Sequence, residues 1–169
     1  MAETQDQYKA RIHALSAGRD PMHLLAAAPN TLTAIIAGIA DPDLDRRPGA
    51  KKWSIREIVV HLADDELVGA YRIRMILSAP GTDIQAFDQD IWAETGRYQA
   101  MPMPMALTLF RVLREANLAL LHRLSDAEWD RCGIHAERGR ESIRDIVSYY
   151  AGHDLNHFAQ ITANLRLPG

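Results

Sequence analysis

The chain has 169 residues, 47% of them apolar and 24% charged, which suits a folded globular protein and excludes a disordered or collagenous one. On a soft prior of about 150 residues per domain it forms one domain, 1–169, with a core of about 20–166 and an N-terminal extension, 1–19. Nineteen basic residues against 22 acidic ones leave a net charge of −3, which argues against a nucleic-acid partner, since phosphate binding calls for a basic excess.

The first residues, Met1 to Arg11, are polar and hold no apolar signal core. Asp20-Pro21 supplies a helix cap and a first-turn proline, and the apolar periodicity behind it fades near Gly38. The most apolar window, Leu24 to Ala40, is broken by Pro29, Asn30 and two threonines, so no membrane span is expected. Pro42 to Lys52 is a charged connection; its Arg46-Arg47 and Lys51-Lys52 form a solvated cluster too small for nucleic acid. Ser54-Ile55-Arg56-Glu57 is a capping box, with Trp53 as a packing staple before it. Behind the box runs a stripe, Ile55, Ile58, Leu62, Asp65, Gly69, Ile73 and Ile76, which Pro80-Gly81 stops.

Thr82 to Pro104 reads as a long connection ending in Met101-Pro102-Met103-Pro104, a loop over apolar surface or a soft lid on a pocket. Leu107, Phe110, Leu113, Leu118 and Leu121 mark a third helix that closes near Ser125. Ser125-Asp126-Ala127-Glu128 is a second capping box, for one short turn holding Trp129. A loop rich in glycine and charge, Arg131 to Glu141, leads to a last helix opened by Ser142-Ile143-Arg144-Asp145 and ended by Pro168-Gly169. Its stripe carries Ile143, Ile146, Tyr150, His153, His157, Ile161 and Leu165. With aromatics at 7% and little alternation, no sheet is expected. Four amphipathic helices with long connections after the second and third predict an all-α four-helix bundle. One cysteine, Cys132, cannot form an internal disulfide and fits a reducing, cytoplasmic location.

Seven histidines carry the chemical signal. His153 and His157 stand four apart, so both imidazoles lie on one helix face, and that face is the buried one. His61 sits beside the stripe of the second helix, where facing helices of a bundle build interior metal sites. The competing account is three core histidines satisfied by hydrogen bonds. His13, His23, His122 and His135 have surface or capping roles as their default. A zinc-protease account fails: His153-Asp154-Leu155-Asn156-His157 has Asp where the general-base Glu belongs, and Gln160 and Ala163 where a longer motif wants Gly and His.

Two segments together resemble the paired signature of the DinB-like (DinB/YfiT-like) superfamily: Trp53 to Asp64, WSIREIVVHLAD, and Ala151 to Ile161, AGHDLNHFAQI. Phe87 to Trp92 and the loop Gly133 to Gly139 extend the resemblance over roughly residues 20–165. It implies an up-up-down-down four-helix bundle that holds a divalent metal ion (zinc, nickel or iron) through His61, His153 and His157. Members include metal-dependent thiol transferases, a thiol-dependent isomerase and hydrolase-like proteins. The resemblance therefore implies a small-molecule substrate, a thiol-dependent S-transferase or a hydrolase, with a low-molecular-weight thiol as a candidate cofactor. The alternative is a metal- or ligand-binding stress-response module without turnover. It also implies a homodimer, for which Leu24-Leu25 and Ala26 to Ala28 suit close helix packing.

Three neutral nitrogen ligands leave a metal its full charge and an open position, which serves either water or thiol activation. Asp65, four residues after His61, is a candidate to orient an imidazole, join the metal or act as a base; the plain alternative is a helix-surface carboxylate paired with Arg72 or a neighbour. Tyr150 is a candidate catalytic acid or a core aromatic. Arg72 and Arg74 are candidate binders of a substrate carboxylate.

Overall fold

The computed structural model describes residues 3–166. Four long helices form the bundle: α2 (Pro21–Ile36), α4 (Ile55–Ser78), α6 (Met103–Leu121) and α8 (Ile143–Leu165). Helix α4 packs on α6 and α8, and α2 packs on the same two, so the four close into a ring around a shared core. The caps fall where the sequence places them. Asp20 accepts from the Met22 amide, and Ser54 and Ser142 each form a reciprocal capping box with Glu57 and Asp145. The helix end expected at Pro168-Gly169 lies outside the described residues.

Pro29 sits inside α2, where its missing N–H leaves the Leu25 carbonyl without a helical partner. Arg114 of α6 fills the gap, donating from Nη1 to Leu25 O at 3.1 Å. The same guanidinium is buried against Asp154 of α8 and Glu66 of α4, at 2.7 and 2.8 Å. One side chain thus ties all four bundle helices together.

Short elements appear where connections were expected, beginning with α3 (Asp41–Asp45) between the first two bundle helices. The 82–104 stretch contains α5 (Gln89–Thr95) and a 3-10 turn, Tyr98–Ala100, and α6 already begins at Met103. Further on, α7 (Asp126–Trp129) is the short turn that the second capping box predicts. The expectation of no sheet is corrected by a small one: β1 (Asp83–Ile84), β2 (Cys132–His135) and β3 (Gly139–Ser142), in the order β1-β2-β3. Strands of two to four residues are too short to show alternation in sequence. The hairpin closes at Gly139, whose φ of 73° is one that L side chains rarely adopt.

Finally, the polar N-terminal segment contains α1 (Gln5–Ser16), capped by Thr4 and packed against α8. Its Ile12 is fully buried, which the weakly amphipathic sequence does not advertise.

Candidate functional site

The second bundle helix brings His61 inward two turns after its cap, and α8 brings His153 and His157 to meet it. All three are buried. Their Nε2 atoms converge: His61 to His153 is 3.5 Å, and His153 to His157 is 3.0 Å. One nitrogen from each ring lies within 4.8 Å of the others, a spacing that a single metal ion can bridge. Burial lowers the pKa of His61 to about 3 and of the other two well below the ordinary value, so the rings are neutral, the form a metal requires.

The outward nitrogens decide whether a cation fits. His157 Nδ1 faces Gln160 Oε1 at 2.8 Å, and His153 Nδ1 faces Asp65 Oδ2 at 3.3 Å. Both partners are acceptors, so each Nδ1 carries the proton and each Nε2 presents a lone pair. Two lone pairs then confront each other at 3.0 Å, an arrangement that repels unless a positive centre lies between them. His61 Nδ1 is buried with no hydrogen-bond partner among the described residues. The donor set fits a divalent ion.

Asp65 does not pair with Arg72 among the described residues; its carboxylate approaches His153 Nδ1 and, at 3.5 Å, His61 Nε2. Burial raises its pKa to about 7 against the pull of Arg72. Trp53 does more than pack the start of α4. Its ring lies 4.8 Å from His61 and stacks on His157 at 6.4 Å, walling one side of the cluster. Tyr149 stacks on His153 at 5.8 Å.

A cleft of about 580 Å³ opens onto His61 and His153. Helix α1 and its cap Thr4 form part of its wall, through Thr4, Gln5 and Tyr8, and Tyr150, Arg72 and His135 line it as well. Tyr150 therefore faces the cleft, its ring seated against Gly69, where a Cβ would come within 3.0 Å of it. Arg74 does not reach the cleft and bonds instead to Ala70 O and Asn117. Asp154, beside His153 in sequence, points away into the Arg114 network. Met101 and Met103 pack in the bundle core, and the Met-Pro segment is absent from the cleft lining, which removes it as a lid.

Sequence reasoning passed over His135. Of its expected surface or capping role, the surface part is corrected by a buried position at the end of β2, while the ring does accept from the backbone amides of Glu137 and Arg138. The available signal was its place in the Gly133 to Gly139 segment, but the pairing that buries it involves β1, some fifty residues earlier in the chain.

The bundle matches a solved structure described as "YfiT from Bacillus subtilis is a probable metal-dependent hydrolase with an unusual four-helix bundle topology", with a TM-score of 0.81 at 23% identity, covering 98% of this chain and 89% of that one. Among curated proteins, one from Oceanobacillus iheyensis is 28% identical over 135 residues, 80% of this chain and 78% of its own length. Another, from Bacillus licheniformis, is 27% identical over 146 residues, 86% of this chain and 83% of its own. Both carry the name "Putative metal-dependent hydrolase". A sequence model of the DinB superfamily matches residues 24–161, a span that holds all three converging histidines. With that match over most of its length and the bundle it implies, the chain belongs to the DinB superfamily.

Proposed function

We propose that the chain is a metal-dependent hydrolase acting on a small molecule, with His61, His153 and His157 holding one divalent ion through Nε2. The observation that carries this is the convergence of three neutral imidazoles, two of which, His61 and His153, line an open cleft. A sealed site would have favoured a binding module without turnover. When bound, the ion supplies Lewis acidity and activates water or a thiol near neutral pH. The protein's own part is to fix the rings: Asp65 orients His153, Gln160 orients His157, and Trp53 and Tyr149 hold the imidazole planes. The names of the relatives favour hydrolysis. A thiol-dependent S-transferase would use the same three imidazoles.

Elemental analysis of protein purified without a histidine tag tests the site. About one equivalent of metal per chain is expected, lost in His157→Ala. Stoichiometric metal retained in that variant moves the site elsewhere. Zinc is the default, while nickel and iron(II) also accept imidazoles. Cobalt-substituted protein separates the two chemistries: a sulfur-to-metal charge-transfer band on adding thiol supports the transferase. A spectrum unmoved by thiol or small anions ends both enzyme readings.

The remaining expectations belong to this proposal. A cytoplasmic location rests on the single buried cysteine, and no helix among the described residues is long and apolar enough to cross a membrane. The absence of nucleic-acid binding rests on the charge of −3, and a sequence-dependent mobility shift would contradict it. The homodimer has support in exposed Leu67 and Tyr71 on α4 and Met105, Leu109 and Val112 on α6, since Leu25 and Ala28 are buried within the chain. Sedimentation at the mass of one chain would remove it.

A further inference from the structure

His135 is held in one protonation form by its own hairpin. The backbone amides of Glu137 and Arg138 both donate to Nδ1, at 3.1 and 3.3 Å. An amide cannot reverse its role, so the neutral ring carries its proton on Nε2. Burial, reinforced by the charges of Arg138 and Arg72, lowers the pKa of His135 to about 4 and keeps the ring neutral. The Nε2–H is buried with no partner among the described residues, although His135 lines the cleft. A buried donor without an acceptor is costly, and a ligand that completes it removes that cost.

Arg72 has the matching need. It is buried and lines the same cleft, and its guanidinium donates from Nη2 to the Gln85 carbonyl at 2.9 Å. The Phe87 ring lies 5.8 Å away, and no carboxylate pairs with Arg72 among the described residues. Arg138 differs, being bonded to Glu141 at 2.7 and 2.9 Å, a carboxylate that Lys9 also approaches at 3.5 Å. The cleft therefore holds one guanidinium with no carboxylate at ion-pair distance among the described residues, attracted only at longer range by Asp65, and one orphaned neutral donor.

We infer that Arg72 and the His135 Nε2–H form a subsite for a carboxylate, so that the substrate is a small monoanionic carboxylic acid. The inference rests on the hydrolase reading above for the role of the cleft's other end. The charge count selects a monoanion. Arg72 attracts negative charge, whereas Asp65, Asp88, Asp90 and Glu137, which also line the cleft, repel every charge added and so penalise a dianion such as a phosphate monoester more than a monoanion. Phe87 and Tyr150 offer apolar and aromatic surface to the body of the acid.

Phenylacetate is a suitable probe, with phenylacetamide and phenyl phosphate as controls, titrated into the full chain both zinc-loaded and chelator-treated. Phenylacetate should bind both forms, more tightly than either control. It should also shift the His135 ring Nε2–H resonance in the wild-type protein. Arg72→Gln should weaken binding at least about tenfold, the scale of one lost charged hydrogen bond, and Arg72→Lys should restore part of it. Equal binding of acid and amide, or an Arg72→Gln variant that binds as wild type, overturns the inference. Binding only to the zinc-loaded form also overturns it, because the carboxylate would then sit on the metal. Should Arg72→Gln fail to fold, the His135 resonance in the wild type decides alone, and no shift means no subsite. These outcomes do not depend on metal stoichiometry, so failure of the hydrolase reading is recognised separately.

Discussion

Gly152 of α8 lies directly beneath the backbone of Ile12 in α1: a Cβ at residue 152 would come within 2.1 Å of the Ile12 carbonyl oxygen. That oxygen belongs to a helix backbone and cannot swing aside, so glycine is what lets α1 reach α8 and close one wall of the cleft. Gly152→Ala is predicted to cost about 1–3 kcal/mol as overpacking. It should also expose residues 3–16 to limited proteolysis. An unchanged melting temperature together with an intact proteolysis pattern would show that the helices do not approach this closely.

Asp65 is placed to fix the ring of His153 through Nδ1. Loss of such an outer partner commonly weakens metal binding about 10–100-fold, and that range is predicted for Asp65→Ala. A chelator competition titration measures it. Affinity equal to wild type would confine Asp65 to a role away from metal binding.

Arg114 is the sole cation bonded to buried Glu66 and Asp154 among the described residues. Arg114→Met preserves much of the volume but leaves two carboxylates buried without a cation, Glu66 keeping only its bond from Asn117 Nδ2 at 3.0 Å. A loss of about 3–5 kcal/mol is predicted, read as a lower urea midpoint at pH 7. Replacing the carboxylates as well, in Arg114→Met with Glu66→Gln and Asp154→Asn, should recover part of that loss. No recovery would mean that the guanidinium acts through its packing and its bond to Leu25 O.

Glu57 predicts a pH dependence. Burial alone would raise its pKa, but bonds from Arg47 and from the Ser54 amide and hydroxyl outweigh it and bring the value below 4.5. A group with a lowered folded value stabilises above its unfolded pKa and loses that contribution as pH falls through the folded one. Glu57→Gln should therefore be less stable than wild type at pH 7, with the gap narrowing below about pH 4.5. Urea midpoints across that range provide the check, and a gap independent of pH would assign the loss to the cap geometry rather than to the charge.

The sequence by itself determined the local features of this protein. Caps at Asp20, Ser54 and Ser142 show as short-range patterns because a cap bonds residues two or three positions away. The His153/His157 pair shows for the same reason, since helical spacing alone puts both rings on one face. The bundle followed from four such stripes, and His61 from its place beside one of them. What only the tertiary structure decided depends on groups far apart in the chain. Helix α1 carries little amphipathic signal, yet it walls the cleft because Gly152 admits it. Asp65, for which pairing with Arg72 was one alternative, instead approaches two histidines, one of them on another helix. His135 became a buried, orphaned donor only when β2 paired with β1 and the hairpin amides claimed its other nitrogen. Local hydrogen bonding writes its residue types into the sequence at fixed offsets. Long-range burial decides which polar groups are left unsatisfied, and it leaves no such offset to read.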